Sequence, residues 1–259
     1  MATSRSSAPI PAYVLHRYDW SETSLIVELF TRPLGRVVVA AKGAKRPTSQ
    51  LRPVLLPFQI LHAHLGKAPK DEQSELRLLR TADWVGGAPL LQAAAMFAGF
   101  YLNELLMKLL ARQDPHPALF DTYTEALALL ATGSESTEPA TLRAFELALL
   151  RAVGLLPELA QVTLTMQPLQ AAQTYTLQGE SGVMAKANAV PGAAWVQIEA
   201  ALGHGSLAAL AQVCQPVVSA LRGPLRALLH YHLGAAPLRT RQVWMDVQKL
   251  AGATHTASA

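Results

Sequence analysis

Between residues 12 and 81 the chain carries five short runs that favour extended backbone, and after Gly86 that texture stops. The runs are 12–18 (AYVLHRY), 24–31 (SLIVELFT), 36–41 (RVVVAA), 58–65 (FQILHAHL) and 75–81 (ELRLLRT). Turns at 19–22 and 33–35, a long basic stretch and the polar connector 66–73 separate them. Apolar runs bounded in this way read as strands. Alternation puts Leu25, Val27 and Leu29 on one face of the second run and Glu28 on the other. In the fifth, Leu76 and Leu78 oppose Arg77.

Five short strands in so little chain close most readily into a small barrel. A five-stranded barrel of this size is the oligonucleotide-binding, or OB, architecture, and an SH3-like barrel is its rival on pattern alone. From residue 87 the periodicity becomes helical. Helices are expected at 87–113, 118–131 and 140–153, the last with Pro139 in its first turn and Gly154 past its end. A hairpin follows near 174–186, with Tyr175, Thr176 and Leu177 facing Val183, Met184 and Ala185 across a Gly-containing turn. Further helical stretches fall at 193–202, at 205–232 with a break near Pro216, and at 239–251. Strands gathered before helices give an α+β chain with an expected barrel domain at 1–84 and a helical domain at 85–259.

Charge divides along the same boundary. Residues 1–85 hold 12 Lys or Arg against 7 Asp or Glu, whereas 86–259 hold 10 against 11. The excess is densest from Arg32 to Arg52, where Arg32, Arg36, Lys42, Lys45, Arg46 and Arg52 occur without one Asp or Glu. A rigid strand, 37–41, hands over to this flexible cationic loop around Gly43, with Pro47, Thr48 and Ser49 opposing a helix. Such a ribbon can hold a phosphate backbone without reading sequence, and the bland reading is a solvated loop that happens to be basic. Tyr13, Tyr18, Trp20, Phe30 and Phe58 lie nearby as stacking candidates. Phe30 and Phe58 are expected inside the barrel, and Tyr18 and Trp20, beside a turn, in either place.

Other chemistry finds little support. Cys214 is the one cysteine, so an intrachain disulfide and a thiolate metal site are excluded, and a reducing cytoplasm fits. The opening residues have no apolar core of a secretory leader, and the apolar stretch 88–102 is short of the roughly 20 residues a membrane span needs. No Walker A loop, G-x-S-x-G elbow, G-x-G-x-x-G or H-E-x-x-H occurs. Gly205-Ser206 reads as a helix start rather than a phosphate loop. His62 and His64 share a strand face but lack a third ligand; His230 and His232 point to different sides of a helix. Carboxylates are scattered, and Glu104 with Lys108 makes an ordinary helix pair. These readings favour a binding protein over an enzyme. An RNA-binding OB module and an unrecognised nuclease remain as alternatives.

Ordered motifs then add a resemblance. Tyr18-Asp19-Trp20-Ser21-Glu22, Leu29-Phe30-Thr31, Gly35-Arg36, Lys42-Gly43-Ala44-Lys45-Arg46, Leu51-Arg52-Pro53 and Leu56-Pro57-Phe58 resemble the bacterial RecO recombination-mediator family. So do Phe145-Glu146-Leu147, Leu150-Arg151, Gly154-Leu155-Leu156-Pro157, Tyr231-His232-Leu233-Gly234 and Leu238-Arg239-Thr240-Arg241 downstream. The resemblance implies an OB domain on a helical domain and a DNA repair function located on the nucleoid. It implies binding to single- and double-stranded DNA, annealing of complementary strands, and work with RecR and with single-strand-binding protein (SSB) so that RecA can load at gaps. Arg239 and Arg241 match the C-terminal motif, either as DNA contacts or as caps of nearby helix ends. The acidic, apolar SSB tail would need a groove rimmed by cations, for which Lys108, Arg112, Arg143 and Arg151 are the candidates. Many members carry a four-cysteine zinc site after the Leu156-Pro157-Glu158 segment; 160–190 contains no cysteine here, so a zinc-less variant and no cofactor are expected.

Overall fold

Alternation of inward and outward side chains closes the first five strands on themselves. They are β1 (Ile10–Asp19), β2 (Leu25–Thr31), β3 (Gly35–Ala41), β4 (Ile60–Leu65) and β5 (Leu76–Trp84). The computed structural model describes residues 8–67, 75–86, 90–134, 136–234, 238–240 and 242–243. Strand order is β1-β2-β3-β5-β4, with β4 returning to pair with β1, so the sheet is a closed, OB-like barrel. Every pairing is antiparallel except β3 with β5. Ala12, Val14, Val27, Leu29, Val37, Val39, Leu61 and Ala63 fill the interior. Burying each of the larger side chains contributes about 1.5–3 kcal/mol.

Two bulges depart from simple alternation. In β1, Val14 faces Leu29 and His16 faces Glu28, so Leu15 is an extra residue. Between β4 and β5, His64 faces Thr81 and Leu65 faces Leu79, which leaves Arg80 over. This second bulge corrects the expected face of β5. Leu79 and Ala82 point into the core, while Leu76 and Leu78 are 37% and 40% exposed.

The aromatic expectation is corrected as well. Phe30 is fully buried, but it follows Leu29 and so lies on the outer face of the barrel. There it packs on Phe120 at 5.4 Å between ring centroids, and Tyr13 packs on the same ring at 5.3 Å. Phe58 is buried at a φ of 65° and does not join the interior cluster. The outer face is covered because residues 110–121 belong to the barrel unit, together with residues up to 90. The expected helix 87–113 therefore ends early: α1 spans Ala93–Leu109, and residues 87–89 lie outside the described set. Beyond it, Gln113 N donates to the Arg36 carbonyl at 2.8 Å. Gly35 permits this approach. Its φ is +65°, and a Cβ there would sit 1.9 Å from the Asp114 carbonyl oxygen.

The second unit comprises 91–109 and 122–259. Helix α2 spans Pro117–Thr132 and α3 spans Glu138–Ala152, with Pro139 in its first turn and Gly154 left-handed after its end. A three-stranded sheet follows: β6 (Thr174–Gln178), β7 (Gly182–Ala185) and the two-residue β8 (Val190–Pro191), which pairs on the far side of β6. Helix α4 spans Gly192–His204. Ser206 caps α5 (Leu207–Cys214) by accepting from Ala209 N, and a 3₁₀ turn at Gln215–Val217 leads into α6 (Val218–Leu233). The break at Pro216 follows from its missing N–H. Of the expected helix 239–251, only 239–240 and 242–243 are described. Trp195, Tyr123 and Phe145 are fully buried in this unit; Tyr123 packs on Phe145 at 6.1 Å between ring centroids, and Trp195 Nε1 donates to the Tyr175 carbonyl. No helix among the described residues is long and apolar enough to cross a membrane.

Candidate nucleic-acid interface

Lys42 begins where β3 ends, and the loop it opens is built from tight turns rather than left slack. Ala44 N donates to the Ala41 carbonyl, Arg46 N to Gly43, Ser49 N to Arg46 and Leu55 N to Leu51. Ala44, Leu51 and Leu55 are anchored in the barrel core. Gly43, at a φ of +70°, makes the first turn possible. The β1–β2 turn is tied to it: Lys45 N donates to the Thr23 carbonyl, Gly43 N to Ser24 Oγ, and Lys45 Nζ to the Ser21 carbonyl at 3.1 Å. The expected flexible loop is thus a braced platform.

Three of its cations face solvent. Lys42, Arg46 and Arg52 are exposed and make no ion pair among the described residues. Lys45 is paired to Asp19 at 3.1 Å. Arg17 joins them, and sequence reasoning missed it. The Leu15 bulge shifts the pairing so that Arg17 faces Val27 and Asp19 faces Leu25, both inward positions. At the open end of the barrel this parity turns Arg17 and Asp19 toward the mouth, where Arg17 Nη1 donates to the Leu55 carbonyl at 3.0 Å. Arg17, Asp19, Leu25, Ala44, Lys45, Arg52 and Leu55 line one pocket there. Nearby on the chain, Tyr18 is 44% and Trp20 51% exposed, so both rings are open to a partner.

Arg32 and Arg36 lie elsewhere. The register pairs Thr31 with Gly35 at one end of the β2–β3 hairpin and Leu25 with Ala41 at the other. Seven residues of strand separate the two ends by roughly 20 Å. Arg32 is held by Asp121 through two hydrogen bonds of 2.9 and 3.0 Å. Arg36 is half-buried beneath the returning 110–121 segment, which it bridges at Arg112. The six cations that are continuous in sequence therefore form two groups.

The four candidate partner-binding cations are all engaged. Arg112 lies past the end of α1, in the barrel unit, bonded to buried Glu28 at 2.6 Å and to Glu75 at 2.8 Å. Lys108 pairs with Glu104, Arg143 with Glu146, and Arg151 with Glu199 at 2.6 Å. Burial pushes the Glu146 carboxyl up, against the opposing pull of Arg143 and Tyr101. The same burial pushes the Cys214 thiol up to about 12, which fits an inert structural thiol. Glu104 caps the chain after Leu238, accepting from Arg239 N at 2.9 Å and from Thr240 N and Oγ1. The Arg239 side chain is exposed, and Arg241 lies outside the described residues. His64 reaches Asp83 at 3.6 Å, and no group of three His, Cys, Asp or Glu among the described residues is arranged to hold a metal.

Sequence comparison decides the family. The pattern described as Recombination protein O N terminal matches residues 7–87, and Recombination protein O C terminal matches 91–242. The chain belongs to the RecO family. DNA repair protein RecO of Polaromonas sp. (strain JS666 / ATCC BAA-500) is 49% identical over 255 residues, covering 96% of this chain and 100% of the relative. Those of Polaromonas naphthalenivorans and Verminephrobacter eiseniae are each 48% identical with the same coverage. In the segment 160–190, main-chain and hydroxyl bonds hold the RecO chain together: Thr163 N donates to the Val183 carbonyl, and Val183 N donates to Thr163 Oγ1 at 2.8 Å.

Proposed function

We propose that the chain is a mediator of DNA repair and recombination that binds DNA through the open end of its barrel. The carrying observation is the grouping of Lys42, Arg46 and Arg52 on a braced, solvent-facing platform beside Arg17 and Lys45. Cations so exposed can neutralise phosphates and release condensed counterions, which is favourable on single and double strands alike and carries no sequence preference. Two strands held on such surfaces lose their mutual repulsion, and base pairing supplies the free energy of annealing without nucleotide hydrolysis. Family membership supports the finer steps: annealing of complementary strands, and work with RecR and SSB so that RecA loads at gaps. The nearly neutral helical unit is the proposed site of protein contact, with Arg239 as an additional DNA contact.

Strand annealing of complementary oligonucleotides tests this reading, with Mg²⁺ present and ATP absent. Annealing without cleavage is expected, and Lys42→Glu with Arg46→Glu should weaken DNA binding at least about tenfold, a loss of some 1.4 kcal/mol. Mg²⁺-dependent cutting, or unchanged affinity in the double variant, rejects it.

A further inference from the structure

From Leu159 to Gly179 the chain carries no Asp, Glu, Lys, Arg or His, although Gln and Thr are frequent. Within this charge-free run the helical unit forms a short spur. Its arms are joined by Val162 N donating to the Gln167 carbonyl at 2.8 Å and Leu169 N to the Ala160 carbonyl at 3.0 Å. Its tip, residues 163–166, turns back through Met166 at a φ of 57°, with Met166 N donating to the Val162 carbonyl. Two bonds between Thr163 and Val183 pin it to β7. Gly182 makes that seat possible, since a Cβ there would lie 2.2 Å from Thr163 Oγ1. The spur is thus braced from both arms, yet it presents Leu164 at 76% and Met166 at 64% exposure. Two large apolar side chains offered to water on a fixed support mark a contact surface.

We propose that the spur meets the same spur of a second copy of this chain, tip to tip about a twofold axis, and so joins two chains that each carry a DNA strand. A twofold contact sets a residue near the axis against its own kind. A charged residue would face its like and be repelled. Leu and Met instead face apolar partners, and Gln and Thr side chains carry both donor and acceptor, so each can satisfy its own copy. Residues 161–170 consist wholly of apolar residues, Gln and Thr. A chain of net charge +4 approaches its own copy most favourably where charge is absent. The area is small, so the contact is transient in solution and takes effect when two chains are concentrated on neighbouring strands. The strand-joining role rests on the DNA-binding reading above, whereas the self-contact does not.

Sedimentation of the full chain without DNA, from about 5 to about 500 μM, tests the contact. Wild type should pass from monomer to dimer across that range. Leu164→Asp and Leu164→Lys should each dissociate at least about tenfold more readily, because like charges then meet at the axis. An equimolar mixture of the two should regain the dimer, now held by opposite charges. Leu164 is exposed, so neither change empties the core. In DNA assays, Leu164→Asp should keep its affinity for a labelled oligonucleotide within about twofold yet anneal complementary strands at least about fivefold more slowly. Mixing it with Leu164→Lys should restore the rate. A wild type that stays monomeric at every concentration, or a mixture no more associated than either variant, overturns the self-contact. If, beside a monomeric wild type, Leu164→Asp loses binding to purified RecR or SSB, the spur serves a different protein and the proposal falls as well. Lost affinity for the oligonucleotide would put the tip on the strand instead, and unchanged annealing would remove the strand-joining role. Lys42→Glu with Arg46→Glu separates this from the DNA-binding reading, since it should weaken DNA binding while sedimenting as wild type does.

Discussion

Arg112 is a cation committed to the barrel's own carboxylates. Glu28 is 1% exposed, and Arg112 Nη2 is the donor that compensates it at 2.6 Å. Arg112→Ala would leave a buried charge unsatisfied. A fully buried pair loses about 3–5 kcal/mol on such truncation. Arg112 is itself 39% exposed, so a loss nearer about 2–3 kcal/mol is expected, read as a lower urea midpoint. Arg112→Ala combined with Glu28→Gln should recover part of it, and an additive double variant would refute the pairing argument. Alternation correctly makes Glu28 the outward residue between Val27 and Leu29, yet outward does not mean solvated. Nothing in local alternation announces that residues 110–121 return to cover that face. Arg17 was illegible for a related reason, since its inward turn depends on one extra residue at Leu15.

At the level of elements, the strands and helices were readable because their periods are strong, and their ends followed Gly, Pro and Ser. The 3₁₀ turn at Pro216 and the Ser206 cap are direct consequences of backbone chemistry. The bulges and two-residue β8 left no such mark, because a single inserted residue changes pairing without changing composition. The attachment of the segment after Leu238 offers a pH test. Burial raises the Glu104 carboxyl, but bonds from Thr240 and Arg239 and the charge of Lys108 outweigh it, so the net shift is downward. A carboxyl held below its ordinary value stabilises the fold fully above that ordinary value, and the contribution is lost as pH falls through the lower one. The protection factors of the Arg239 and Thr240 amides, exchange rates corrected for the intrinsic pH dependence, should therefore be high at neutral pH and fall on acidification. In Glu104→Gln that acid-induced step should be absent, and an identical profile in both proteins would remove Glu104 from the role.

For the whole molecule, the charge split between the two parts of the sequence was legible, and the grouping of cations was not. Six residues in one acid-free run are distributed by the β2–β3 hairpin to opposite ends of a barrel. This predicts a number. If DNA sits at the Lys42 end, four or five phosphates are neutralised, and log affinity against log salt for single strands should fall with a slope of roughly −3 to −3.5. Lys42→Glu with Arg46→Glu should make that slope shallower by about 1.4. A wild-type slope near −1 would remove the phosphate grip. The barrel's discontinuity in the chain has its own corollary. A fragment cut after residue 90 keeps all five strands but discards Phe120 and Arg112, stripping the hydrophobic lid from Tyr13 and Phe30 and leaving Glu28 unneutralised. Such a piece would be sticky where the intact protein is sealed, so the barrel depends for its solubility on residues that lie well beyond its last strand.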